Sequence, residues 1–445
     1  MGCAVLRLAE SRARMVIVNS LVLMTLVSFI VFMSRGITGP VSSLYAESLG
    51  ASYASIGLLG TVASLSTILF GYLWGRTSDL LGRRKALLVA GLAAAALNDG
   101  LIAIAPTYSY LYLLRLLGGI AMSAYGTASL ALVGDLLEQS KRDRGRRMGV
   151  FRGLGSLGFG LMAFLSGTVA DAFSLRVPFA LSGAFLVVAF VLVLQVREPA
   201  SSRGERVSVL GTLGLFLEAV RSLGRDVRRR IGQVIERRPR ADAGGTEEEA
   251  AHLPLTPLLL AAFLWALVTG AVYAVWANYM VSEVGYSSAT MSRLWSIAST
   301  SEFPLMIVAG WLSDRVGRLP MLCLGFVAWG IVFVGYVLVP GMPWILFIQL
   351  TRGFAYSAHT ATAMTYATEV RGRAQRGWVS GLYGAAGGLG SILGAALGGL
   401  QTQWVGFRPM IATNAALIFA GALYLGVISI RQRRRTALVE VTPEV

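Results

Sequence analysis

Twelve long apolar runs, separated by short polar breaks, set the pattern of this chain. They fall at 15–37, 54–75, 86–105, 109–136, 147–169, 177–197, 256–281, 290–312, 319–338, 343–368, 377–400 and 407–429. Each comes close to, or exceeds, the roughly 20 residues that a helix needs to cross the hydrocarbon of a bilayer. Backbone groups in lipid must bond within their own segment, so the runs predict helices rather than open strands. A membrane β-barrel would show alternating segments of about ten residues, and the sequence has none of that kind. Composition agrees: 55% of residues are hydrophobic and 14% are charged, against about 25% charged in a typical soluble domain. Mean hydropathy is +0.65. The expectation is an all-α membrane protein with twelve transmembrane helices.

One polar stretch breaks the rhythm and divides six runs from six. It predicts three parts: a bundle over 1–197, a cytoplasmic linker over 198–255, and a bundle over 256–445. Within the linker, Leu213, Leu217, Val220, Val227, Ile231 and Val234 recur at helical spacing opposite a face crowded with arginine. Such a basic amphipathic helix suits the surface of an anionic leaflet; a linker helix packed under the bundle is the alternative.

The net charge of +16 follows topology. One set of short loops carries Arg76, Arg83, Arg84 and Lys85; Lys141, Arg142, Arg144, Arg146 and Arg147; Arg315 and Arg318; and Arg371, Arg373 and Arg376. The other set carries Arg176 and Arg408. Basic residues in short loops mark the cytoplasmic side, so both termini are expected in the cytoplasm of a multi-pass cell-membrane protein. Nucleic acid is not an expected partner, because the charges alternate with apolar runs instead of lining one face. Two cysteines, Cys3 and Cys323, allow neither a disulfide framework nor a metal cluster. No cleavable leader and no cofactor are expected.

The halves repeat. Gly75 and Asp79 return as Gly310 and Asp314, each 235 positions on, and Gly82 and Arg83 return as Gly317 and Arg318 at the same interval. Arg115 returns as Arg352, and Asp135 as Glu369. A duplicated six-helix unit is common among secondary transporters, whose substrate sits between the halves near the midplane. At the cytoplasmic turns, Gly75 and Gly310 permit close helix approach, and Asp79 can face the positive end of a neighbouring helix. Arg83 can pair with Asp135, and Arg318 with Glu369. Contacts of this kind would clasp the halves when a central pocket opens outward and break when it opens inward.

Ionisable residues at membrane depth are functional candidates by default. Glu302 lies twelve residues before Asp314, hence about 18 Å from the inner face at 1.5 Å per residue. A carboxyl group there can carry a proton or bind a cation, or can be paired structurally with an arginine. Asp99 either faces the cavity or sits near the outer headgroups. Arg35 can pair with an acid, bind an anion or snorkel outward. Arg352, Tyr356 and His359 fall on one helix face; the histidine is either functional or packed. Tyr273, Trp276 and Asn278 either line a cavity or form an interfacial belt.

The motif Gly75, Asp79, Gly82, Arg83, Arg84, with its second copy, resembles the signature of the major facilitator superfamily between its second and third spans. Leu80 stands where that signature has a basic residue. Arg115 matches the arginine that the family places early in its fourth span. The resemblance implies two pseudo-symmetric six-helix bundles in a major facilitator fold, span 11 as the neighbour of Asp79, and a link between Arg115 and proton coupling. It implies a secondary transporter, similar to drug/proton antiporters, that works as a monomer with a small molecule, protons and membrane lipids as partners. The apolar pathway points to efflux of lipophilic compounds. The lack of proline between Gly149 and Ala170, where such antiporters carry a Gly-Pro element, points away from it. Uptake of a sugar or organic anion, with Arg35 or Arg115 as contact, and a non-transporting membrane sensor are the alternatives. The sequence carries no Walker A motif, and no nucleophile–base spacing that would suggest an enzyme.

Overall fold

The computed structural model describes residues 2–81, 84–138, 144–198, 254–370 and 376–441, and the described residues are helical almost throughout. The first half holds α1 (Gly2–Thr38), a short α2 (Ser42–Ser48), α3 (Tyr53–Leu81), α4 (Arg84–Ala103), α5 (Tyr108–Glu138), α6 (Arg144–Ala172) and α7 (Val177–Gln195). The second holds α8 (Leu255–Asn278), which ends in a π-turn over Tyr279–Glu283, then α9 (Ser288–Val316), α10 (Arg318–Leu338), α11 (Met342–Glu369), α12 (Arg376–Val405) and α13 (Phe407–Val441). Twelve of these helices are long. Ten are both long and apolar enough to span a membrane; α9 and α11 are the two that fall short, and they carry Glu302 and Arg352. A helix that bears charge at depth can sit in lipid only with that charge turned toward its neighbours.

Packing repeats with the sequence. In the first half α1 packs on α6, α3 on α5, and α4 on both α5 and α7. In the second half α8 packs on α12, α9 on α11, and α10 on both α11 and α13. The two six-helix bundles meet along two seams, α3 against α12 and α6 against α9, which are equivalent under the same repeat. The expected basic amphipathic helix of 198–255 lies outside the described residues.

The seams are closed at the end away from the basic loops. On the first, the Tyr53 amide donates to Gln403 Oε1 at 3.1 Å, Thr61 donates to the Ile392 carbonyl at 2.9 Å, and Ser64 and Ser391 lie 3.4 Å apart. Gly57 and Gly399 let the backbones touch: a Cβ on Gly399 would stand 2.8 Å from the Gly57 Cα. On the second, the Gly167 amide donates to Ser292 Oγ at 3.0 Å, Ser296 donates to the Gly160 carbonyl at 2.8 Å, and the Ala289 amide donates to Asp171 at 2.8 Å. Asn278 adds a third clasp, donating to Glu47 at 2.6 Å and to the Ser43 carbonyl at 3.3 Å. Glu47, Asp171 and Gln403 were not singled out from the sequence, because each reads there as an ordinary polar residue at a helix end.

At the basic end the seams part. A Cβ on Gly71, Gly75, Gly153, Gly310, Gly381 or Gly384 would meet nothing within 4 Å. The close helix approach expected at Gly75 and Gly310 is therefore absent, because the central space opens toward that end. The ion pairs found there stay within each half. Arg318 grips Glu369 through two parallel bonds of 2.7 and 2.8 Å, and reaches Asp314 at 2.6 Å and Ser313 at 2.9 Å. Asp314 thus pairs within its own half, with Arg318 one turn on, rather than facing a neighbouring helix end. Gly317 makes this turn possible: its φ of +97° lies where side chains are disfavoured. In the first half Arg84 pairs with Asp135 at 3.0 Å; the expected pairing of Asp135 with Arg83 falls outside the described residues, as do Gly82 and the Asp79 side chain. Lys85 does more than mark topology, since its ammonium donates to the carbonyls of Leu194 and Val196 at 2.6 and 2.7 Å and caps the end of α7.

Replacing Gly399 with leucine forces α3 and α12 apart at the closed end. Overpacking of this kind costs about 1–3 kcal/mol, so a cysteine placed at Ser391, in a chain whose native cysteines are serine, should react about tenfold faster with an impermeant maleimide than in the Gly399 parent.

Candidate functional site

Three adjoining cavities occupy the space between the halves. The largest, about 810 Å³, lies mainly against the second half. A chamber of about 360 Å³ lies against the first, and a pocket of about 210 Å³ lies toward α2. Ala63 of α3 and Trp295 of α9 line all three. The first alone is of the size that holds drug-like or metabolite-like molecules.

The large cavity is walled by aromatic rings. Trp265 and Tyr273 come from α8, Trp295 from α9, Trp329 from α10, Tyr356 from α11, Tyr383 from α12 and Phe159 from α6. Aromatic faces give much apolar contact area with few rotatable bonds. Glu302 and Arg352 also line it. They form no ion pair within 4 Å, and the Glu302 carboxyl has no hydrogen bond among the described residues. The structural pairing of Glu302 with an arginine is thus not present. Arg352 is held instead by rings: its guanidinium carbon stands 4.8 Å from the centroids of both Tyr273 and Trp295, within cation–π range. Its Nη1, with the indole nitrogens of Trp265 and Trp329, has no hydrogen-bond partner among the described residues. All three atoms are buried behind the cavity surface, and a buried donor without a partner is a standing cost. Thr67, the repeat mate of Glu302, lines the same cavity, so the two repeat positions face one space from opposite halves.

Pro304, two residues past Glu302, lies inside α9. It has no N–H to give the Thr300 carbonyl, which locally weakens the helix ladder beside the acid.

Arg35, Asp99 and Arg115 line the chamber of the first half, and Trp295 closes it from the second. Arg35 therefore turns inward rather than snorkelling to the surface. Asp99 also faces the chamber rather than the headgroups; Ser182 donates to it at 2.6 Å and Asn98 at 3.3 Å. Arg115 bonds the hydroxyl of Ser42.

Three expected residues stand back from the cavities. His359 is fully buried behind Trp265, stacked on it at 4.4 Å with 15° between the planes. It shares a helix face with Arg352, but the indole lies between it and the open space. Trp276 forms a second aromatic layer, 5.4 Å from Trp295 and 5.7 Å from Tyr336, neither cavity wall nor interfacial belt. Asn278 belongs to the closed-end clasp. Periodicity assigned these residues to helix faces, but which neighbour covers a face is decided by packing between helices.

A family model of the Major Facilitator Superfamily matches residues 24–250 and 258–443. The maltose permease of Geobacillus stearothermophilus is 25% identical over 412 residues, covering 91% of this chain and 93% of that protein. The quinolone resistance protein NorA of Staphylococcus aureus is 26% identical over 175 residues, which span 39% of this chain and 44% of NorA. Among solved structures, a point mutant of the nucleoside transporter NupG aligns over 92% of this chain and 99% of its own, with a TM-score of 0.73 and 15% identity. A bacterial homolog of the human lysosomal transporter Spinster, in an inward-facing and unoccupied conformation, aligns over 94% and 97% with a TM-score of 0.68 and 16% identity; likeness at this level shows the fold. Two mirrored six-helix bundles, a cavity system between them and a family match along nearly the whole chain lead to one conclusion: this is an integral multi-pass membrane protein of the Major Facilitator Superfamily, a transporter of small molecules.

Proposed function

We propose that the chain exports lipophilic, ring-bearing small molecules by proton-coupled alternating access, working as a monomer in the cell membrane. The observation that carries this reading is the pairing, in one cavity, of seven aromatic side chains with an unpaired acid, Glu302. The rings hold the apolar body of the substrate. The carboxyl group exchanges a proton as the cavity changes sides, and so ties substrate movement to the proton gradient. On this reading the basic end is cytoplasmic, both termini lie on that side, and the open cavity is loading from within.

The halves, 1–197 and 256–445, act as rocking units joined by 198–255. Closure of the cytoplasmic side brings the glycine-rich faces of α3 and α12 together beyond Gly71 and Gly384, and those of α6 and α9 beyond Gly153. The repeated motif residues, with Asp79 and Arg83 on one side and Asp314 and Arg318 on the other, form the gate of that state. A few contacts of modest strength suffice, because two conformations in exchange differ by only a few kcal/mol.

Sugar uptake is the second reading. The maltose permease is matched along most of its length, and the cavity sets Ser64, Thr67, Thr269, Ser299 and Ser391 beside the rings. Hydroxyls with flat apolar faces suit a saccharide as well as a drug. Counterflow in proteoliposomes, with maltose in one arm and a lipophilic dye in the other, separates the two readings. Dye exchange without maltose exchange supports export, and the reverse pattern sinks it.

Glu302→Gln is expected to remove accumulation driven by a pH gradient while exchange at equal pH continues; gradient-driven transport at the wild-type rate would falsify the role given to this acid. Trp295→Ala removes the ring shared by all three cavities and one of the two faces that hold Arg352, so substrate affinity should fall about tenfold, measured by equilibrium binding to the purified protein.

A further inference from the structure

The chamber against the first half has an electrostatic character that a purely lipophilic substrate does not use. Two guanidinium groups line it, from α1 and α5, with one carboxyl group, that of Asp99 on α4. Asp99 directs its two oxygens to Ser182 and Asn98, and it forms no ion pair within 4 Å with either arginine. Among the described residues Arg115 bonds the Ser42 hydroxyl and no carboxylate. Arg35 keeps an exposed surface in the chamber, and its guanidinium makes no hydrogen bond among the described residues. Taking chamber and large cavity together, three arginines face two acids: Arg35, Arg115 and Arg352 against Asp99 and Glu302. The space is therefore positive by one charge with both acids ionised, and more so when either takes a proton. Charge held at membrane depth is expensive unless it is met by its opposite. Guanidinium forks are suited to a planar anion, which they bind through paired, charge-assisted hydrogen bonds.

Continuity with the aromatic cavity sets the shape of the ligand. Ala63, Thr67, Phe159 and Trp295 line both spaces, so one molecule can lie across them. We propose that the chamber is an anion subsite, in which Arg35 and Arg115 receive the carboxylate-type group of an amphipathic substrate whose ring system rests among the aromatic side chains of the neighbouring cavity. This rests on the reading that the large cavity holds substrate, and it narrows the substrate class from lipophilic compounds to organic anions with an aromatic body.

The test uses the full-length protein in lipid nanodiscs, with quenching of tryptophan fluorescence as readout and empty nanodiscs as blank. The probes are benzoate, naphthoate and anthracenecarboxylate, each beside its methyl ester. For at least one ring size the carboxylate should bind about tenfold or more tightly than its ester, the scale of hydrogen bonds to a charged group. Arg35→Gln and Arg115→Gln should each bring the carboxylate-to-ester ratio close to one, while Arg35→Lys, which keeps the charge, retains part of the preference. Should the glutamine variants fail to fold, Asp99→Asn gives an independent arm: it removes the chamber's acid and should strengthen carboxylate binding. The inference is overturned by equal affinity for acid and ester in the wild type, by a preference that persists in both glutamine variants, by weaker carboxylate binding in Asp99→Asn, or by no carboxylate binding at all. Failure of the cavity reading looks different: ester binding would be unchanged by Trp329→Ala.

Discussion

A charged side chain inside hydrocarbon must be hidden from lipid, and the architecture of this protein can be derived from that requirement. Arg35, Asp99, Arg115, Glu302 and Arg352 all lie within helical segments, and all five face the spaces between the halves. The surrounding helices act as the polar residues' solvent boundary. This is why α9 and α11 can depart from the apolar composition that the other ten long helices keep. Separate the halves in lipid and the charges lose their cover; merge them into one close-packed core and the charges lose the water and ligand that meet them. A cavity between the halves satisfies both demands.

Closure at one end is built from backbone proximity more than from charge. Along α3/α12 and α6/α9 the contacts are glycine against backbone, hydroxyl against carbonyl, and amide against side-chain oxygen. Such contacts are individually modest and can be remade in another register or at another depth. The strong ion pairs behave differently. Arg318 with Glu369 and Arg84 with Asp135 each join helices of a single half. They brace each bundle from within and cross neither seam. Division of labour between rigid bundles and a weakly bonded seam is what a rocking mechanism needs.

The two sides of the site are not copies of each other, although the helices around them are. Arg115 and Arg352 occupy equivalent places in the repeat, yet the first meets a serine hydroxyl and an open chamber, and the second is held between two aromatic rings. Glu302 faces Thr67 across the cavity. Duplication supplied a symmetric frame, and substitution within it produced one aromatic, acid-bearing wall and one basic wall. A ligand lying between unlike walls is oriented by them.

How far the chain could be read without coordinates varied by the kind of physics involved. Twelve helices, the six-plus-six division and the end that carries the basic loops all follow from composition, period and spacing, because lipid imposes its demands residue by residue along the chain. The repeated glycines of the cytoplasmic turns, Gly75 and Gly310, could also be seen, though not that nothing stands close to them. Contacts between distant segments were decided by the tertiary structure. Arg84 meets Asp135, a pairing that the repeat alone did not single out. His359 lies behind Trp265, while Arg35 turns into a chamber instead of out to the headgroups. The sequence alone determined what must be buried from lipid; only the packing of one half against the other decided what those buried groups face, because that depends on neighbours hundreds of residues away.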